Sequence, residues 1–156
     1  MKGDEAILGT LNSLLADELT AVNQYILHSE MCANWGYERL HQAIEKRAID
    51  EMKHAEKLIA RILFLEGRPV VNQLKTMHIG GDVTEQFQKD VDSEYEAIKA
   101  YNEGIRQAVA LGDNGTRDLL EEILEDEEAH ADWLEAQLDQ VKQMSLQHYL
   151  AQQIKS

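Results

Sequence analysis

The stretch Asp50-Glu51-Met52-Lys53-His54-Ala55 returns 76 positions later as Asp126-Glu127-Glu128-Ala129-His130-Ala131. The same shift carries Leu58 onto Leu134, Ala60 onto Ala136, Glu18 onto Glu94 and Tyr25 onto Tyr101. Each half therefore reads Glu, then Glu-x-x-His at a fixed distance. A single Glu-x-x-His is common and weak. Two copies, each preceded by a Glu at equal spacing, are a strong internal-repeat signal.

Working outward, apolar residues recur in steps of three and four around these motifs. One segment has Leu8, Leu11, Leu15, Glu18, Val22 and Tyr25; a second has Ile44, Ala48, Glu51, Ala55, Leu58, Ile62 and Leu65. A third has Phe87, Val91, Glu94, Ile98, Tyr101 and Ile105; a fourth has Leu120, Leu124, Glu127, Ala131, Leu134, Leu138 and Val141. That rhythm is the seam of packed helices. In every segment one seam position that should be apolar holds a Glu. An unpaired buried carboxylate costs several kcal/mol, and four at one level repel one another. The seams offer no Lys or Arg to neutralise them. Taken singly, each Glu could be a solvated helix-end group and each His a satisfied core group. Taken together, Glu18, Glu51, His54, Glu94, Glu127 and His130 are the donor set of a di-metal carboxylate site in a helix bundle.

The predicted helices run from about Glu5 to Asn34, Glu38 to Glu66, Val83 to Leu111 and Thr116 to Met144. A short fifth follows from Leu146 to about Ile154, with Asp82 and Ser145 as candidate N-caps. Trp35-Gly36 and Gly112-Asp113-Asn114-Gly115 are short turns, so each flanking pair forms an antiparallel hairpin. Residues 67–81, with Pro69 and Gly80-Gly81, are long and aperiodic. Extended at ~3.3 Å per residue they reach roughly 50 Å. A helix of about 28 residues at ~1.5 Å rise is roughly 42 Å long. The connection can cross the bundle and set helices two and three parallel, the ferritin-like arrangement. The expected fold class is all-α: one domain over residues 1–156, with the bundle at about 5–144 and the fifth helix at about 146–154.

Composition sets the limits. At 156 residues the chain can bury a core without disulfides or a structural metal. Cys32 is the only cysteine, which excludes an intramolecular disulfide and Cys-ligated iron–sulfur or rubredoxin-type sites. The formal net charge of -14 argues against nucleic acid and anionic membranes as partners. Such acidity keeps a protein soluble and also suits one that attracts cations. Acidic residues at Asp4 and Glu5, where a signal peptide needs basic ones, lead us to expect a soluble cytoplasmic protein.

Carboxylates with imidazole suit Fe, Mn or Zn. Glu51 and Glu127 are the expected bridges, Glu18 with His54 completing one metal and Glu94 with His130 the other. The expected reaction is oxidation of two Fe(II) by O2 or peroxide, two adjacent irons giving two electrons at once. Asp50 and Asp126 are candidates to hold the imidazoles of the opposite half, or are solvated helix carboxylates. Tyr25 and Tyr101 could bond a ligand, donate an electron or simply pack.

Asn23-Gln24-Tyr25, Asn34-Trp35-Gly36, Ile49-Asp50-Glu51-Met52-Lys53-His54-Ala55, Arg61-Ile62-Leu63-Phe64-Leu65-Glu66-Gly67 and Asp126-Glu127-Glu128 carry a resemblance, with the opening Met1-Lys2-Gly3-Asp4. The chain resembles the bacterioferritins from end to end. The resemblance implies an iron-storage ferroxidase: a shell of twenty-four subunits built from dimers, holding ferric mineral, with Glu18, Glu51, His54, Glu94, Glu127, His130 and Tyr25 at its centre. It implies a fifth helix lining four-fold channels and a ferredoxin-type electron donor for iron release. It also implies that Met52 ligates a b-type haem at the two-fold subunit interface, although position alone fits ordinary interface packing as well. Some bacterioferritins pair Asp50 with a His at position 46 as an inner-surface iron site; this chain has Lys46 and Arg47 there. Rival readings are a rubrerythrin-like oxidase without storage and a non-enzymatic metal buffer. A miniferritin is disfavoured, since one chain supplies all six ligands.

Overall fold

The computed structural model describes residues 1–155 as five α-helices and connecting segments. Helix α1 spans Glu5–Asn34, α2 Glu38–Phe64, α3 Val83–Ala110, α4 Asn114–Met144 and α5 Leu146–Ala151. Caps set most of these ends. The side chains of Asp4, Asp82 and Asp113 accept from the backbone N–H groups of Ala6, Glu85 and Thr116, satisfying donors that a helix start leaves free. Asp113 thereby starts α4 two residues before the expected Thr116. Helix α2 stops at Phe64, short of the expected Glu66, because Glu66 turns left-handed (φ 61°) and Gly67 N–H bonds back to Ile62 O. Helix α3 stops at Ala110, one residue early. Helix α5 ends at Ala151 rather than Ile154, where Gln152 and Gln153 tighten into three-residue turns.

Contacts between helices fix their directions. Tyr25 meets Glu94 while Tyr101 meets Glu18, so α1 and α3 are antiparallel. His54 meets Asp126 while His130 meets Asp50, so α2 and α4 are antiparallel as well. With short turns making α1–α2 and α3–α4 hairpins, α2 and α3 run parallel, as the long connection required. That connection climbs α1. Backbone N–H groups of Val70, Lys75, His78 and Gly80 donate to the side chains of Asn12, Thr20, Gln24 and His28, at 2.8 to 3.0 Å. Polar side chains on one face of α1 thus give an irregular strap the partners its backbone needs. Gly80 lies so close to the backbone of Gln86 that any Cβ there would collide with it.

The core is two apolar clusters with a polar layer between them. Leu11, Leu14, Leu15, Leu58, Ile62, Leu120 and Ile123 belong to one, and Ile44, Val91, Phe87, Leu134 and Tyr149 to the other. The expected seams hold on α2. Elsewhere the buried stripe is wider than a single seam: Ile7, Leu14 and Ile123 are fully buried, whereas Val22, Ile98 and Leu124 are half-buried. Helix α5 closes the second cluster, with Tyr149 edge-on to Phe87 and its hydroxyl donating to Gln137 at 2.5 Å.

Candidate metal centre

The polar layer is where the repeat's residues meet. Glu18, Glu51, Glu94, Glu127, His54 and His130 come one or two per helix from α1 to α4, and each is at most 3% exposed. Their donor atoms form two groups: Glu18, Glu51, His54 and Glu127, and Glu51, Glu94, Glu127 and His130. Both groups contain Glu51 and Glu127. Glu51 Oε2 lies 3.4 Å from His54 Nδ1, and its Oε1 lies 3.0 Å from His130 Nδ1. Glu127 Oε1 stands 3.1 Å from one imidazole and 3.7 Å from the other. Glu18 lies only on the His54 side, at 3.6 Å, and Glu94 only on the His130 side, at 3.7 Å. Glu51 and Glu127 are thus common to both groups, with Glu18 and His54 on one side and Glu94 and His130 on the other.

Around this ring the two halves hold each other crosswise. His54 Nε2–H donates to Asp126 Oδ2 at 2.9 Å, and His130 Nε2–H to Asp50 Oδ2 at 3.3 Å. Those bonds leave each Nδ1 facing inward, against the carboxylates. Asp50 is further held by Arg47, 3.5 Å away. The Tyr25 hydroxyl donates to Glu94 Oε1 and the Tyr101 hydroxyl to Glu18 Oε1, the latter at 2.5 Å. Of the alternatives open in the sequence, both aspartates bond the opposite imidazole and both tyrosines bond a carboxylate of the opposite helix.

The electrostatics show a site short of positive charge. Burial pushes Glu51 and Glu127 well above the usual carboxylate range, and the neighbouring carboxylates add to it. Glu18 is pushed up by burial but ends lowered, because the neighbouring Glu51 and His54 side chains and the Tyr101 hydroxyl favour its charged form. Burial would depress the two histidines; the carboxylates around them outweigh that and raise both. Even so, Glu18 Oε2, Glu94 Oε2 and Glu127 Oε1 are buried and accept no hydrogen bond. Three buried carboxyl oxygens without a hydrogen bond, beside two inward imidazole nitrogens, fit a pair of hard divalent cations.

Met52 lies outside both groups. Its side chain is 46% exposed on α2, and Ile49 one turn earlier is exposed too. A cavity of about 610 Å³ leads to the site between α1, α3 and the strap, lined by Glu18, Tyr25, Glu51, Glu94 and Glu127 at its depth and by Lys75, His78, Asp92 and Glu96 outside.

Sequence reasoning missed one buried polar network beside the centre. His28, fully buried, donates from Nδ1 to Asp90 Oδ1 at 2.9 Å and accepts from Gly80 N–H at 3.0 Å; Gln24 donates to the same Asp90 oxygen. The repeat could not reveal it. The 76-residue shift puts Ala100 opposite Gln24, Gly104 opposite His28 and Leu14 opposite Asp90. It ties the strap to α1 and α3, a task that exists in only one half.

Four helices with one long crossover and a shared carboxylate–imidazole ring define the ferritin-like class, and a family model described as a ferritin-like domain matches residues 8–144. The chain is 44% identical over 155 residues to the bacterial ferritin of Synechocystis sp., covering 99% of each chain. It is 41% identical over 152 residues to the bacterioferritin of Mycolicibacterium paratuberculosis (97% of this chain, 96% of the relative). It is also 41% identical over 149 residues to that of Brucella melitensis (96% and 92%). The chain belongs to the bacterioferritin family.

Proposed function

We propose that this protein stores iron, taking up Fe(II) as substrate and oxidising it at the six-residue centre with O2 or hydrogen peroxide. The observation that carries the proposal is the ring itself: four buried carboxyl groups and two imidazoles, with three carboxyl oxygens left without a hydrogen bond. Glu51 and Glu127 bridge the two substrate positions. Glu18 with His54 and Glu94 with His130 complete them. Asp126 and Asp50 keep each Nδ1 aimed inward, and Tyr101 and Tyr25 hold the terminal glutamates in place. Two Fe(II) held side by side release two electrons together, which reduce O2 with two protons to peroxide, or peroxide to two waters. The ferric product is stored as mineral in a hollow shell of twenty-four copies built from dimers, in the cytoplasm, with a ferredoxin-type donor reducing it for release.

Met52, exposed on α2, would hold a haem together with the Met52 of a second copy, its thioether serving as the protein's ligand. Position 46 holds Lys rather than the His that some bacterioferritins pair with Asp50, and Asp50 is bonded to His130 and Arg47, so we assign no iron transfer to that inner-surface site.

Absorbance of ferric product after O2 is added to Fe(II)-loaded protein tests the oxidation. Glu18→Ala and His130→Ala are expected to lose the fast phase; variants as fast as the parent would remove the site assignment. Sedimentation tests the shell, expected near 430 kDa for chains of 17.8 kDa. A dimer that oxidises iron without retaining mineral would instead favour a non-storage oxidase. Purified protein without a Soret band, even after haem addition, would remove the role of Met52.

A further inference from the structure

The cavity above the centre has a charged mouth that the oxidation chemistry does not use. Its lining passes from exposed Lys75, Asp92 and Glu96 to buried Glu18, Glu94 and Glu127, so it joins the surface to the ring. At the mouth the Lys75 ammonium lies 2.6 Å from Asp17 Oδ1 and donates to Ser13 Oγ at 3.0 Å. Asp17 immediately precedes Glu18 on α1. The backbone of Lys75 is separately fixed, its N–H donating to Thr20 Oγ1 at 2.8 Å. The strap therefore stays in place whether or not the side chain is paired, and only the flexible stem need move.

We propose that Lys75 is a charge gate: paired with Asp17 at the mouth of this cavity, it masks the carboxylate that would draw divalent cations in and retards their entry to the buried ring. The proposal rests on the reading that the ring takes divalent cations. Three carboxylates face the mouth, Asp17, Asp92 and Glu96, against two ammonium groups, Lys75 and Lys89. With Lys75 swung aside the mouth goes from one net negative charge to two, and Asp17 lies on the way to Glu18. One positive charge within about 8 Å of the path of a divalent cation slows its passage by roughly five- to thirtyfold at low salt, for an effective dielectric constant of about 80 down to 40. An ion pair serving only to hold the strap would leave the entry rate alone and show itself in melting.

Anaerobic stopped-flow uptake of Co(II) by the assembled, metal-free protein, followed by visible absorbance, reads entry without any redox step. Lys75→Gln is expected to associate roughly five- to thirtyfold faster than the parent at low salt, with the gain shrinking below about twofold near 0.5 M salt, where the Debye length is only a few ångströms. Lys75→Arg keeps the charge and should stay as slow as the parent, and Asp17→Asn should be slower still. A Lys75→Gln rate within about twofold of the parent at low salt, or a gain that survives high salt, overturns the gate. If the parent takes up no Co(II), the reading of the ring falls too; if it takes up two per chain at rates the variants share, the gate alone falls.

Discussion

Glu51→Gln should make the metal-free protein more stable and at the same time remove its response to metal. Glu51 is fully buried, and burial with the charge of Glu18 raises its carboxyl well above the ordinary 4.5. A raised carboxyl destabilises the fold above its unfolded pKa, because folding at neutral pH must either bind a proton or bury a charge. Carried to pH 7 that cost approaches (7.0 − 4.5) × 1.36, about 3 kcal/mol at most. Gln removes it but leaves an amide between two imidazoles, which offsets about 1 kcal/mol. The net gain is therefore about 1–2 kcal/mol, or roughly 2–8 °C in melting temperature for a chain of this size. The sign reverses with metal. Ligand at one hundred times its Kd stabilises the parent by about 2.7 kcal/mol per site, and Glu51 belongs to both donor groups. Differential scanning calorimetry at pH 7, with and without Co(II), separates the two effects. A metal-free Glu51→Gln protein that melts at or below the parent, and still gains on adding Co(II), would refute the account of the ring as an uncompensated anionic site.

Metal uptake at pH 7 should release protons, since the raised Glu51, Glu127, His54 and His130 must give theirs up to coordinate; calorimetric heats that do not vary with buffer ionisation enthalpy would contradict this. By the same sign, metal affinity should fall as pH drops from 7 to 5, measured as a rightward shift of Co(II) titrations. Asp126→Asn should weaken metal binding by roughly 10- to 100-fold by freeing the His54 ring, and an unchanged Co(II) titration would show that the imidazole needs no outer partner. Tyr101→Phe leaves Glu18 Oε1 without its donor and should cost about 1–3 kcal/mol in the metal-free protein, read by denaturant unfolding. Tyr25→Phe should slow Fe(II) oxidation, and a rate equal to the parent's would leave Tyr25 with packing alone.

Much of this was legible in one dimension because the fold repeats itself. A 76-residue shift pairs Glu18 with Glu94, Glu51 with Glu127 and His54 with His130. A carboxylate on an apolar stripe is a physical anomaly that needs no structure to notice. Helix ends were legible to within a few residues, and the misses share one cause. Asp113 capping α4 and the left-handed Glu66 ending α2 are local geometries that periodicity does not register.

Tertiary structure alone decided who holds whom. Sequence placed Tyr25 two turns from Glu18 on the same helix; the antiparallel pairing of α1 and α3 sends its hydroxyl to Glu94 instead, and Tyr101 to Glu18. Whether Asp50 and Asp126 faced solvent or the opposite imidazole depended on the relative rotation of α2 and α4, which no spacing within one helix encodes. The strap is the extreme case. Its backbone donors find side chains on α1 more than fifty residues away, so the Asp90–His28 anchor and the Lys75–Asp17 mouth come into being only when the chain has folded. The sequence by itself determined which residues share the helix seams and that the four carboxyl groups among them would need compensation once buried. Orientation, partners and the way in were set by packing, because those depend on how whole helices turn against one another.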